Sequence, residues 1–192
     1  PALLIELPMA LKSLDHSITP SERAAQAHYY GAGRKLPPAP ERDLLTAEET
    51  DFLAARDSFY LATITEDDWP YLQHRGGPPG FVKVLGENQI GFADFSGNRQ
   101  LLSTGNLAAK DRVALFFMDY PQRERLKLLG HARVLDPREH PTLADQLTPT
   151  AALRAKVERL FVIDAIAFDW NCPQYITPRF TAEEFAQLPA QD

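Results

Sequence analysis

Cysteine is nearly missing from this sequence. Cys172 is the only one in 192 residues, which excludes an intrachain disulfide and any multi-cysteine zinc or iron–sulfur site. That usage fits a reducing compartment and predicts a cytoplasmic protein. Long apolar runs are missing as well. No window approaches the roughly 18–20 consecutive apolar residues that span a bilayer, so no membrane segment is predicted. Pro1 to Leu14 has no cationic n-region and carries Glu6, which predicts no signal peptide. The glycine signatures of phosphate loops are absent: neither Gly-x-Gly-x-x-Gly nor Gly-Lys-Ser/Thr occurs, and Gly31-Ala-Gly33 runs into prolines. The histidines (His16, His28, His74, His131, His140) show no close metal-ligand spacing. Glu48-Glu49 and Glu183-Glu184 belong to helix starts and not to a paired-acid site. Positive charge is also in deficit, with 20 Lys+Arg against 26 Asp+Glu and a net charge of −6. An acidic surface repels a polyphosphate backbone, so a nucleic-acid-coating protein is excluded.

What remains is ample material for one core. Hydrophobic residues make up 44% and aromatics 10%, so an ordered globular domain is expected. Pro37, Pro38 and Pro40 form an extended linker after a helical piece, Ser21 to Tyr30. The expected division is a helical arm with its linker over residues 1–45 and a main domain over residues 46–192.

Thr46-Ala-Glu-Glu49 is a capping box and predicts a helix from Ala47 to Arg56; Thr181-Ala-Glu-Glu184 repeats it and predicts a short terminal helix. Between Ser58 and Val134 the apolar period drops to two residues. Strands are expected at Phe59–Thr65, Pro70–Arg75, Phe81–Leu85, Gln89–Phe95, Arg112–Met118 and Leu126–Val134. An amphipathic helix is expected at Ala151–Leu160, then a last strand at Phe161–Phe168. Strands and helices do not alternate, so the expectation is a mainly β fold with flanking helices, its six to seven antiparallel strands closed or sandwiched.

Charge is not spread evenly. Residues Tyr71 to Gly130 carry a net charge of about +3 and the remainder about −9 by direct count. Such a local excess suits one small anionic ligand, or it is simply a set of solvated strand faces. In Phe92-Ala-Asp-Phe-Ser-Gly-Asn-Arg-Gln-Leu-Leu-Ser103, Asn98 is expected to cap a helix running to Thr104. Arg99 would then sit among free backbone N–H groups, where a phosphate binds well. His74-Arg-Gly-Gly-Pro-Pro-Gly80 offers charge from Arg75 and close backbone approach at Gly76 and Gly77, or a wide β-turn. Trp170-Asn-Cys-Pro-Gln174 offers one flat apolar face and two amides, Asn171 and Gln174. Cys172 reads as an inert thiol.

From Asp51 to Val134 the chain resembles the pyridoxamine 5'-phosphate oxidase-like, FMN-binding split-barrel family. The motifs are Tyr60-Leu-Ala-Thr63, Gln73-His-Arg-Gly-Gly77, Gly91-Phe-Ala-Asp-Phe-Ser-Gly-Asn-Arg-Gln100 and Arg112-Val-Ala-Leu-Phe116. The Trp170 to Gln174 tail resembles one branch. The resemblance implies a six- to seven-stranded antiparallel split β-barrel, and a homodimer with FMN in clefts between subunits. The family's strand arginine falls on Arg75 and its following lysine on Lys83, across a spacing widened by Pro78-Pro79-Gly80. Its helix-start Ser-Arg-Lys falls on Asn98-Arg99-Gln100, which keeps the arginine and loses the lysine. Its Tyr-Thr pair falls on Ala93-Asp94, and its sixth-strand polar residue on Arg125. The resemblance thus implies a phosphate held by Arg75 and Arg99, with Lys83 or Arg125 nearby. It places His74 and Asp94 along the ring or ribityl chain, and Trp170, Asn171 and Gln174 over the cleft. The Trp…Arg-x-His signature that holds pyridoxal phosphate has no match after Trp170. The implied function is therefore an FMN-dependent oxidoreductase related to the oxidase. The alternatives are a non-catalytic flavin carrier or sensor, or a split barrel holding deazaflavin or haem, with His74 or His131 as axial ligand for the latter.

Overall fold

Two-residue alternation in the middle of the chain becomes a single curled sheet. The structure is a computed structural model that describes residues 11–33, 36–170 and 173–187. Its strands are β1 (Ser58–Ile64), β2 (Pro70–Gly76), β3 (Lys83–Gly86), β4 (Gln89–Phe95), β5 (Arg112–Asp119), β6 (Glu124–Leu135) and β7 (Val157–Trp170). Their order across the sheet is β2-β1-β5-β6-β7-β4-β3, and every neighbouring pair is antiparallel.

β2 and β3 follow one another in sequence yet lie at opposite edges of the sheet. Curling brings those ends together through side chains and not through a ladder. Phe59 of β1 meets Phe92 of β4 at 5.2 Å between ring centroids. Arg75 of β2 reaches Asp94 of β4 at 2.6 Å. The result is a barrel split between β2 and β3, filled by Phe59, Phe81, Phe92, Phe117 and Phe161. The long β6 and β7 bend at a register shift between Leu129 and Gly130. A Cβ at Gly130 would stand 2.6 Å from the Asp164 carbonyl oxygen, so only glycine lets the two strands approach there.

The flanking helices are α1 (Leu11–Ser17), α2 (Pro20–Tyr30), α3 (Ala47–Ala54), α4 (Leu102–Ala109), α5 (Pro141–Leu147), α6 (Ala151–Arg154) and α7 (Ala182–Ala186). Both main-domain capping boxes form: Thr46 with Glu49 starts α3, and Thr181 with Glu184 starts α7. The arm is tied to the barrel by Asp43, whose carboxylate accepts the backbone N–H groups of Lys12, Ser13 and Phe168.

Three local expectations differ from the structure. The helix expected at Ala151–Leu160 stops at Arg154, and Val157 to Leu160 open β7 instead. Asp94 pairs with Arg159 and Leu135 with Leu160, so ladders from both sides override the local helical period. The helix expected to start at Asn98 starts at Leu102, because Arg99 (φ 62°) and Leu101 (φ 55°) are left-handed and cannot propagate a helix. Asn98 Oδ1 accepts from Gln100 N, an Asx-type turn within the loop and not a helix cap. Helices α1 and α5 were not expected from the pattern; α5 begins at Pro141 and buries Ala144 and Leu147.

Candidate functional site

Alternation along β2 decides which of its side chains enter the split. Tyr71, Gln73 and Arg75 are half-buried, while Leu72 and His74 between them are exposed on the other face. The inward set meets the end of β4, the loop Ser96–Leu101, the start of α4 and Arg159 of β7. Together they line a cleft of about 160 Å³ that includes Arg75, Asp94, Asn98, Arg99, Gln100 and Arg159. Ser103 donates its hydroxyl to Gln73 Oε1 at 2.9 Å and fixes α4 against β2.

The chemistry of the cleft is cationic. Three arginines and Asp94 line it, and Glu158 pairs with Arg159 from just outside, which leaves a local excess of one positive charge in a chain whose net charge is −6. Arg75 Nη1 donates to Asp94 Oδ1 at 2.6 Å, and Arg159 Nε donates to Asp94 Oδ2 at 2.8 Å. Arg75 also lies over the Phe161 ring, 5.1 Å from its centroid. Burial pushes the Arg75 pKa down, and the nearby Arg159 adds to this while Asp94 opposes it. Arg75 Nε is buried with no hydrogen-bond partner. A desolvated guanidinium with a spare donor is a receptor for one more acceptor oxygen. Arg99, on its left-handed residue, stands at the exposed rim. A cleft with these donors can bind a compact anion, and 160 Å³ is room enough for a phosphate group.

The structure thus brings together Arg75, Asp94, Asn98, Arg99 and Gln100 from the sequence reading. Among the described residues, it does not bring the others to this cleft. His74 stands edge-on to Tyr60 on the outer face, 5.7 Å between centroids. Gly76 follows it, where an added Cβ would stand 3.1 Å from the His74 ring. Gly77 donates its N–H to Asp57, and a Cβ there would fall 2.7 Å from Phe81, so packing and not a ligand requires that glycine. Lys83 lies on β3 beside Gly80. Arg125 lies over Phe116, 6.0 Å from its ring centroid. Trp170 donates its indole N–H to Glu49 at 2.7 Å and packs on Phe52. Gln174 is exposed beyond β7. Asn171 and Cys172 lie outside the described residues.

Sequence reasoning missed Tyr71, Gln73, Ser103 and Arg159. The first two were available from the i, i+2, i+4 alternation ending at Arg75. Arg159 was hidden because its segment carries a helical period, and only the pairing with Asp94 places it.

The family profile of pyridoxamine 5'-phosphate oxidase matches residues 45–163, from the start of α3 into β7. No curated protein is significantly similar in sequence. Among solved structures, a putative pyridoxamine 5'-phosphate oxidase from Lactobacillus delbrueckii is 17% identical, with 66% of this chain and 93% of that chain covered and a TM-score of 0.50. HupZ of Group A Streptococcus is 10% identical over 71% of this chain and 99% of that one, also with a TM-score of 0.50. The protein Atu2129 of Agrobacterium tumefaciens, described as of unknown function, is 19% identical over 69% of this chain and 61% of its own, with a TM-score of 0.50. These likenesses concern the fold, and the sequence profile spans well over half of the chain. Barrel, split and profile match agree, and the chain belongs to the pyridoxamine 5'-phosphate oxidase family.

Proposed function

We propose that this protein is an FMN-binding oxidoreductase that anchors the cofactor by its phosphate in the cleft of Arg75, Arg99 and Arg159. The observation that carries the reading is the convergence of guanidinium groups from β2, the β4–α4 loop and β7 on one phosphate-sized space. The residues present fit the group. The cations match a phosphate dianion, and the partnerless Arg75 Nε offers a donor. When bound, the flavin supplies hydride and single-electron chemistry. The chain's own part is to hold the phosphate, keep Arg75 desolvated against Phe161, and offer the edge strand β2 to the polar rim of a flat ring. Among the described residues no strand pairs with the outer edge of β2.

A ring extending from so small a cleft needs further cover, and a second copy of the chain supplies it in this reading. The outer face of β1, β2 and β5 carries an apolar patch for that purpose, with His74 and Arg112 on the same face. Leu72 is 63% exposed and Tyr60 37%. Register places Leu72 beside Ala62 and Ala114, and Tyr60 beside Phe116.

The test is direct. The purified protein shows flavin absorbance, or takes up added FMN, and binds FMN more tightly than riboflavin. Arg99→Ala weakens FMN by about tenfold to a hundredfold, as expected for a lost charge-assisted contact, and leaves riboflavin unchanged. Reduction of bound FMN by NADH or NADPH distinguishes an enzyme from a carrier or sensor. A Soret band in place of flavin bands would identify haem instead. His131 is the axial candidate for that outcome: its Nδ1 is held by Asp111 at 2.9 Å, and it lines a wider groove of about 630 Å³.

A further inference from the structure

We propose that Arg159 is a phosphate-binding residue, held in place by Asp94 so that Arg75 and Arg159 act as one cationic platform across the barrel split. The inference rests on the phosphate reading above and adds a residue that the family resemblance did not supply. Asp94 is one carboxylate shared by two guanidinium groups. One oxygen takes Arg75 and the other takes both Nε and Nη2 of Arg159, at 2.8 Å each. The three side chains are only 15%, 12% and 19% exposed. Asp94 and Glu158 balance this pair, and Arg99 at the rim of the same cleft supplies the excess positive charge that favours a further anion there.

Position makes Arg159 the right partner for that anion. It stands directly opposite Asp94 in the β4–β7 ladder, so its backbone is fixed by strand pairing and not by a loop. Its Nη2 also contacts Glu158 Oε2 at 3.0 Å, which restrains the guanidinium from the other side. Arg159 lines both the small cleft and the adjoining groove, so it forms the wall between them. Gln100, where the resemblance calls for a lysine, brings no charge. Arg159 restores the cation from a different strand, and Asp94 is the device that lets two arginines be buried side by side before any ligand arrives.

The experiment titrates the full chain, and its Arg159→Gln and Arg159→Lys variants, with FMN, riboflavin and inorganic phosphate. Flavin fluorescence reads the first two and calorimetry the third. Arg159→Gln is expected to weaken FMN about tenfold to a hundredfold while riboflavin changes less than about twofold. Arg159→Lys keeps the charge without the planar fork, and is expected to recover part of the loss. Equal weakening of FMN and riboflavin would make Arg159 merely structural, and unchanged FMN affinity would remove it from the site; either overturns the proposal. If the wild-type chain binds no flavin at all, the FMN reading fails by itself. The phosphate titration then decides the platform: binding lost in Arg159→Gln upholds it, and a wild-type chain that binds no phosphate overturns it. Should Arg159→Gln fail to fold, as far-ultraviolet circular dichroism would show, the same readouts are taken on Arg159→Lys. Its FMN affinity must then fall while riboflavin holds, or the proposal is lost.

Discussion

At the scale of single residues, Glu49 does two jobs that sequence divides between distant segments. Its carboxylate closes the capping box, accepting the backbone N–H of Thr46 at 2.8 Å and the Thr46 hydroxyl at 2.6 Å. It also accepts the Trp170 indole N–H at 2.7 Å. Burial acts to raise its pKa, but the hydrogen bonds from Thr46 and Trp170 outweigh burial, and the carboxyl titrates below its ordinary value. The sign follows. The folded state binds this proton less tightly than the unfolded chain, so ionised Glu49 stabilises the fold above the unfolded-state value. That contribution is lost as pH falls through the lower folded value. Denaturant midpoints followed from about pH 6 down to about pH 3 should decline more steeply in the wild type than in Glu49→Gln. Parallel profiles would remove Glu49 from the acid limb. The box was legible in Thr46-Ala-Glu-Glu49. The indole was not, because residues 121 positions apart meet only through tertiary structure.

At the scale of elements, strand existence followed from alternation, and the errors fell where two local patterns competed. Segment 151–160 has a helical period, but its second half lies between β4 and β6, and two ladders decide its state. Two left-handed residues, Arg99 and Leu101, delay α4 to Leu102, and no turn glycine at either position announced them. The arm offers a similar case. Asp43 is buried, and its carboxylate gathers N–H groups from α1 and from β7. Asp43→Ala strands those donors and should cost about 1–3 kcal/mol. Hydrogen exchange should show α1 amides losing protection ahead of the barrel strands; unchanged α1 protection would mean that packing alone holds the arm.

At the scale of the whole molecule, the split is the feature that matters. Its two sides are joined near Asp94 by charge and not by backbone ladder. Asp94→Ala removes the carboxylate from two buried guanidinium groups and should cost about 3–5 kcal/mol in chemical denaturation. A cost near zero would show that solvent already screens the cluster. The same scale holds the proposed subunit contact. Leu72→Glu places a charge on the exposed apolar face of β2. It should turn a dimer into a monomer by size exclusion and weaken FMN binding together. A monomeric wild type that binds FMN fully would refute that contact. Among the described residues no helix is long and apolar enough to cross a membrane, in line with the absence of long apolar runs in the sequence.

Sequence by itself determined the strand set, the two capping boxes and the two arginines at positions 75 and 99, because period, capping chemistry and charge are local properties. Only tertiary structure decided which strands meet across the split, which face of β2 turns inward, and that Arg159 lines the same cleft as Arg75 and Arg99. Those outcomes depend on ladder register and on the curl of the sheet, and both are set by contacts between residues far apart in the chain. A cleft assembled from β2, the β4–α4 loop and β7 has no counterpart in any single stretch of sequence.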